Sequence, residues 1–302
     1  MIAFLHKHLT VYLAGALLLA GCSKPTRMLP EVHGHRGCRG LLPENTVPAF
    51  LKASDLGCDW LELDVVLTAD GHVLVSHEPW MEHRICRTPA GDSIPAANER
   101  EHNIYHMPLM EAQAYDCGLS RHPDFPEQQP MAAHKPTLAE MVTAVERHRA
   151  ERKAGPIGYN IEIKSEPGLY GLYQPAPRPF AQAVLHAIDT LHISDRCVIQ
   201  SFDPGVLEAV HTIDPDMRTA LLVDNSDGLT INLARLSFAP SYYSPEKGSV
   251  DATLVEDLHE RHIGLLVWTV NDTTDMERLI GLGVDGIITD HPDRLIALLD
   301  QH

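Results

Sequence analysis

Short apolar runs alternate with amphipathic helical stretches along most of this chain, and that alternation constrains its fold more than any other feature. Strand-like runs fall at 32–35, 60–64, 158–164, 197–202, 218–223, 238–243, 265–270 and 286–289. Helical periodicity occupies 46–56, 138–152, 178–191, 204–213, 252–262, 273–282 and 294–299, with a weaker helical pattern at 224–237. Parallel strands need a crossover of about a dozen residues, usually a helix, and the spacing supplies one each time. Eight strands in this pattern predict an α/β fold, a TIM-like (β/α)8 barrel. An apolar fraction of 44% is enough for one large core.

Two stretches break the alternation. The apolar run 65–68 is separated from the run 72–76 only by Ala69-Asp70-Gly71, too short for a crossover, and Asp-Gly between β-branched runs signals a hairpin. Such a hairpin leaves the second strand and returns His77 to the rim where that strand ended. Residues 80–137 carry many Pro, His and polar side chains without periodicity and are too long for a plain loop in a compact barrel. They read as an insertion over the barrel mouth, where substrate selectivity is expected.

The amino terminus reads as an export leader. His6, Lys7 and His8 precede an apolar run from Leu9 to Ala20, shorter than the ~20 residues a bilayer span needs. It ends in Leu19-Ala20-Gly21-Cys22, which resembles the lipobox of bacterial lipoproteins, and Ser23 follows. That resemblance implies cleavage before Cys22, acylation there, and anchoring at the envelope, with the outer membrane facing the periplasm as destination. The expected organisation is a leader and lipidated Cys at 1–22, a linker at 23–31, and a barrel at 32–302 with its insertion at about 80–137.

A formal charge of −17 argues against nucleic-acid partners. Five cysteines remain beyond Cys22, an odd number; Cys86 and Cys117 flank a segment poor in barrel signals and form the preferred disulfide, against Cys38, Cys58 and Cys197.

Chemistry in such barrels sits at the carboxyl ends of the strands. Those ends read His35-Arg36-Gly37, Glu62-Leu63-Asp64, His77-Glu78 and Glu162-Ile163-Lys164. Residues two apart on a strand share a face, so Glu62 with Asp64, and Glu162 with Lys164, point inward while their neighbours pack outward. Interior carboxylates are costly unless paired or liganded. Lys164 paired with Glu162, and Arg36 with another carboxylate, is the plain structural alternative. It does not account for two acidic pairs and two rim histidines together. Oxygen-only donors suit Ca²⁺ or Mg²⁺.

These blocks, with Pro43-Glu44-Asn45-Thr46, Leu67-Thr68-Ala69-Asp70-Gly71, Gln200-Ser201-Phe202, Val267-Trp268-Thr269-Val270-Asn271 and Gly283-Val284-Asp285-Gly286-Ile287-Ile288-Thr289-Asp290, give the chain a resemblance to the glycerophosphodiester phosphodiesterases from about His33 to Pro292. The resemblance implies a barrel of the phospholipase C-like phosphodiesterase type and hydrolysis of glycerophosphodiesters to glycerol 3-phosphate and an alcohol. It implies Glu62, Asp64 and Glu162 as ligands of a divalent ion, His35 and His77 as the general acid/base pair with the roles of the two left open, and Arg36 and Lys164 on the phosphate. Trp268 would line the substrate end of the pocket. Glu78 stands where the family usually has Asp.

Other residues carry weaker signals. His33 reads as a core histidine, Thr46 or Asn45 as a helix cap, Glu44 as a brace for Arg36, and Ser201 as a rim hydrogen-bonding group. His102, His106, His122 and His134 lack ligand spacing and read as solvated. The rivals to the diesterase reading are a lysophospholipase D acting on lipid diesters and a non-catalytic envelope binding lipoprotein. The polar insertion favours water-soluble diesters over the first, and the complete set of histidines and carboxylates disfavours the second.

Overall fold

The computed structural model describes residues 29–301. The leader, Cys22 and the linker as far as residue 28 lie outside the described residues. The strands are β1 (Glu31–Gly34), β2 (Trp60–Leu67), β3 (Val73–Val75), β4 (Gly158–Ile163), β5 (Cys197–Ser201), β6 (Thr219–Val223), β7 (Tyr242–Pro245), β8 (Gly264–Val267) and β9 (Gly286–Thr289). All but β3 pair in parallel, and β1 pairs with both β2 and β9, which closes an eight-strand barrel. The helices are α1 (Val47–Leu56), α2 (Leu109–Ala112), α3 (Leu138–Glu151), α4 (Pro177–Thr190), α5 (Pro204–Ile213), α6 (Leu229–Leu233), α7 (Ala252–Glu260), α8 (Thr273–Leu282) and α9 (Pro292–Leu299).

The pleat explains the strand composition. Leu61, Leu63, Ile161 and Ile163 pack in the core that also holds Phe50 of α1, Met141 of α3 and Phe180 of α4. A smaller cluster holds Trp60, Val198, Ala220, Leu266 and Ile288. Towards the carboxyl ends the strands carry buried polar groups instead: Glu62, Asp64, Glu162 and Gln200. Gly158 begins β4 because a Cβ there would lie 2.2 Å from the Trp60 ring.

β3 is the return arm of the expected hairpin and runs antiparallel to β2, with Val65 opposite Val75. Val65 also pairs with Ile163 of β4. The return arm therefore occupies the β1 edge of β2, above the point where β1 leaves it. Between β3 and α3 the chain folds back in short turns around Met81, Ile85, Ile94, Ile104 and Met107, joined to Val66 and Leu74. The Cys86–Cys117 disulfide closes this segment as expected, while Cys38, Cys58 and Cys197 are buried thiols.

Three expected elements differ. The seventh strand is Tyr242–Pro245, not 238–243: Pro240 interrupts the apolar run, and Phe238 stacks on His211 at 4.0 Å instead. The helical pattern at 224–237 shrinks to the five residues of α6, which follows Gly228 at φ 83°. At α1 neither Asn45 nor Thr46 caps: Thr46 Oγ1 donates to the Pro43 carbonyl at 2.6 Å, and Asn45 turns to the site.

Candidate active site

The rim residues expected from the sequence come together. His35, Arg36, Glu62, His77, Glu162, Lys164 and Trp268 line one narrow cavity of about 110 Å³ at the carboxyl end of the barrel. Asp64 lies fully buried beneath it. Oxygens of Glu62, Asp64 and Glu162 lie within 4.8 Å of one another.

The histidine of β1 is held tightly. The chain leaves β1 through a turn with Arg36 at φ 49° and Gly37 at φ 85°. A Cβ on Gly37 would lie 2.8 Å from Ala49 of α1, so glycine is required there. The left-handed Arg36 backbone is strained, a state found where surrounding contacts enforce it. Its amide donates to Glu62 Oε2 at 2.9 Å, and its guanidinium donates to Glu44 Oε1 at 2.7 Å, the expected brace. Arg36 Nε stands 3.3 Å from Asp64 Oδ2.

His35 Nδ1 hydrogen-bonds Asp290 Oδ1 at 2.6 Å, which leaves Nε2 directed towards Glu62, 3.9 Å away. Asp290 also accepts from Arg39 Nε and Nη2 at 2.8 and 3.0 Å and from Asn271 Nδ2 at 2.7 Å. Burial pushes the His35 pKa down to about 4, although Asp290 opposes it, so the imidazole is neutral at neutral pH.

His77 follows the β3 arm and stands at the edge. Its Nδ1 bonds Glu78 Oε1 at 2.5 Å, and its side chain is 28% exposed against 11% for His35. Burial would raise the Glu78 carboxyl, but His77 and Arg36 hold it below the usual range.

The three carboxylates carry more charge than their neighbours balance. Lys164 Nζ donates to Glu162 Oε1 at 2.6 Å and lies 3.8 Å from Asp64 Oδ1, so the plain pairing exists as well. Burial and repulsion from Asp64 and Glu162 raise the Glu62 pKa. Burial opposes ionisation of Asp64 too, but His77, Arg36 and Lys164 keep its pKa low. Asp64 Oδ1 is buried without a hydrogen-bond partner. An orphaned carboxylate oxygen inside a cluster of hard oxygen donors fits a divalent cation.

Several site residues were not picked out from the sequence. Asn45, at φ 55°, donates from Nδ2 to Asp64 Oδ2 at 2.8 Å. Gln200 Nε2 donates to Glu62 Oε1 at 2.8 Å. Asp290 and Asn271 orient His35. All four sit in the sequence blocks quoted above, the one signal that could have found them. Phe202 packs edge-on to Trp268 at 5.3 Å, and Trp268 Nε1 is spent on the Ser244 carbonyl. Ser201 hydrogen-bonds the Ile163 carbonyl at 2.9 Å. His33 is in the core, stacked on Trp60 at 5.4 Å, but its Nε2 has no hydrogen-bond partner. His122 is not solvated: it is buried against Phe125, 3.9 Å from Glu44, because the insertion folds down onto the site's rear.

Comparison with known proteins places the chain in a family. Residues 35–294 match the glycerophosphoryl diester phosphodiesterase family. A glycerophosphodiester phosphodiesterase of Caldanaerobacter subterraneus is 31% identical over 274 residues, covering 89% of this chain and 97% of the relative. One from Bacillus altitudinis is 27% identical, covering 90% and 99%. Among solved structures, a Silicibacter pomeroyi protein assigned to the glycerophosphoryl diester phosphodiesterases superposes with a TM-score of 0.79 at 28% identity, covering 90% of this chain and 94% of its own. An Oleispira antarctica phosphodiesterase, solved with its product sn-glycerol-3-phosphate, shares the fold with a TM-score of 0.71 at 23% identity, covering 90% and 97%. The chain belongs to the glycerophosphoryl diester phosphodiesterase family.

Proposed function

We propose that this protein hydrolyses glycerophosphodiesters to glycerol 3-phosphate and an alcohol with the help of a divalent cation, Ca²⁺ or Mg²⁺. The observation that carries the reading is the convergence of Glu62, Asp64 and Glu162 between two histidines with different surroundings, beside Arg36 and Lys164. Glu62, Asp64 and Glu162 would hold the cation, which polarises phosphoryl oxygens when bound. Arg36 and Lys164 neutralise the remaining phosphate charge.

Neutral His35, fixed by Asp290, takes the proton of the substrate's own glycerol hydroxyl as that oxygen bonds to phosphorus. The bond from phosphorus to the departing alcohol breaks, and His77 gives that oxygen a proton. Water then attacks phosphorus and loses a proton to His77. The bond to the glycerol hydroxyl oxygen reopens, and His35 returns its proton. Both histidines end as they began. Their difference supports these roles: His35 is buried and neutral, and His77 stands more exposed at the edge of the site with its Nδ1 bonded to Glu78.

We further propose that Cys22 carries lipid and holds the enzyme at the bacterial envelope. The Cys86–Cys117 disulfide suits an oxidising compartment. Retention of the intact chain, but not of a Cys22→Ala variant, in the membrane fraction tests the anchor.

The test of activity uses protein lacking residues 1–22 with glycerophosphocholine, following glycerol 3-phosphate with EDTA and after Ca²⁺ or Mg²⁺ is restored. Activity that dies with EDTA and returns with one metal supports the reading. Turnover of lysophospholipids alone would replace it with the lysophospholipase D reading, and no turnover with either class would leave a binding lipoprotein.

A further inference from the structure

A second cavity, of about 380 Å³, adjoins the catalytic one and shares His77, Glu162, Lys164 and Phe202 with it. His35, Arg36 and Arg39 line the first but not the second. Among the described residues, His77 is thus the histidine that touches both spaces, as a proton donor to a departing alcohol must. The second cavity lies where the insertion, at Pro79 and Trp80, meets the segment 165–174 that follows β4.

Its wall is built and fixed. Asp203 accepts from Ser165 Oγ at 2.6 Å and from the Tyr170 hydroxyl. Gln174 Nε2 donates to the Glu166 carbonyl at 2.8 Å, and Asn103 of the insertion donates to the Leu172 carbonyl at 2.8 Å. Trp80 packs edge-on to Tyr173 at 5.5 Å, while Arg100, 4.7 Å over the Trp80 ring, packs on it without lining the cavity. Such a space needs little ordering on binding.

Its chemistry is one-sided. Pro79, Trp80, Leu169 and Phe202 give apolar and aromatic surface, and Glu78 and Glu166 give carboxylates. Of the lining cationic groups, Lys164 is already engaged by Glu162, and His77 by Glu78 Oε1. Glu78 Oε2 is buried without a hydrogen-bond partner, and Glu166 makes no ion pair among the described residues. Aromatic faces with carboxylates and no free cation recognise an alkylated or protonated amine. The chain's charge of −17 adds to this. A diester of a neutral alcohol arrives as an anion and is repelled, whereas a diester of a cationic alcohol is a zwitterion and is not.

We propose, resting on the diesterase reading above, that this cavity seats the alcohol moiety and selects small cationic head groups, of the choline or ethanolamine kind, over neutral polyols. The experiment compares kcat/KM for glycerophosphocholine and glycerophosphoglycerol, with Ca²⁺ or Mg²⁺ present, in the parent enzyme, Glu166→Gln and Trp80→Ala. Glu166 is exposed, so its substitution leaves folding intact. The expected parent ratio is about fivefold or more in favour of the choline diester, falling towards one in both variants. A parent ratio of one or less, or a ratio unmoved in both variants, overturns the head-group assignment while leaving the diesterase reading standing. No turnover of either diester overturns both.

Discussion

The two histidines of the site stand in opposite surroundings, though both are rim residues of the same barrel. His35 leaves β1 in a strained turn, is nearly buried, and is tied to Asp290, itself held by Arg39 and Asn271. His77 arrives on an antiparallel arm outside the barrel ladder, is more exposed, and is hydrogen-bonded by Nδ1 to Glu78. A buried imidazole with a fixed tautomer is suited to accept a proton. An edge imidazole facing the second cavity is suited to deliver one to a leaving group. On the roles proposed above, the barrel fixes the attacking half of the site, while the hairpin and insertion shape the departing half.

The comparison breaks first at the supporting carboxylates. Asp290→Asn removes the charge that orients His35 and leaves Arg39 with only the longer contact to Glu44, so kcat should fall by ~100-fold or more. Glu78→Gln should cost ~10-fold, because water can reach and orient the more exposed His77. Steady-state rates of both variants at saturating substrate decide this, and equal losses would erase the distinction.

Asn45→Ala sharpens it on the metal side. Losing the bond to Asp64 should weaken divalent-ion affinity by ~10-fold, within the range seen for groups that orient ligands. Isothermal titration with Ca²⁺ or Mg²⁺ reads this directly. The departing half should depend on the disulfide instead. Cys86→Ser with Cys117→Ser should lower stability by ~2–4 kcal/mol, measured by denaturant melts, with the loss seen first in proteolysis of the insertion.

A separate effect, away from the site, is a pH dependence at His33. Burial pushes its pKa down to about 3, so it is neutral in the fold, whereas the unfolded chain protonates near pH 6.5. The unfolded state therefore binds the extra proton, and His33 costs stability progressively as pH falls from about 6.5 towards 3. Melting temperatures across that window should fall less steeply for His33→Asn. An unchanged slope would show that His33 takes up its proton in the fold as readily as in the unfolded chain.

Much of this was legible because barrel strands are apolar outside and charged at their carboxyl ends. Glu62-Leu63-Asp64 and Glu162-Ile163-Lys164 show both faces within three letters. The hairpin and His77 were readable because Asp70-Gly71 leaves no room for a crossover. Asp290, Asn45 and Gln200 escaped notice because single polar residues at strand and helix ends look like caps, and their partners lie up to 255 positions away. His122 and Trp80 were illegible for another reason: the insertion has no periodicity, so nothing local reveals which of its side chains turn inward.

The most direct test of the asymmetry gives the leaving group no need of an acid. p-Nitrophenol leaves glycerophospho-p-nitrophenol as a stable phenolate, so the account predicts that His77→Ala approaches the parent rate of phenolate release in the first turnover, before water attack calls on His77, while remaining deficient on glycerophosphocholine. His35→Ala should stay down by ~10²–10⁴-fold on both. Rescue of His35→Ala by the activated leaving group, with His77→Ala still impaired, would contradict the account and exchange the two roles.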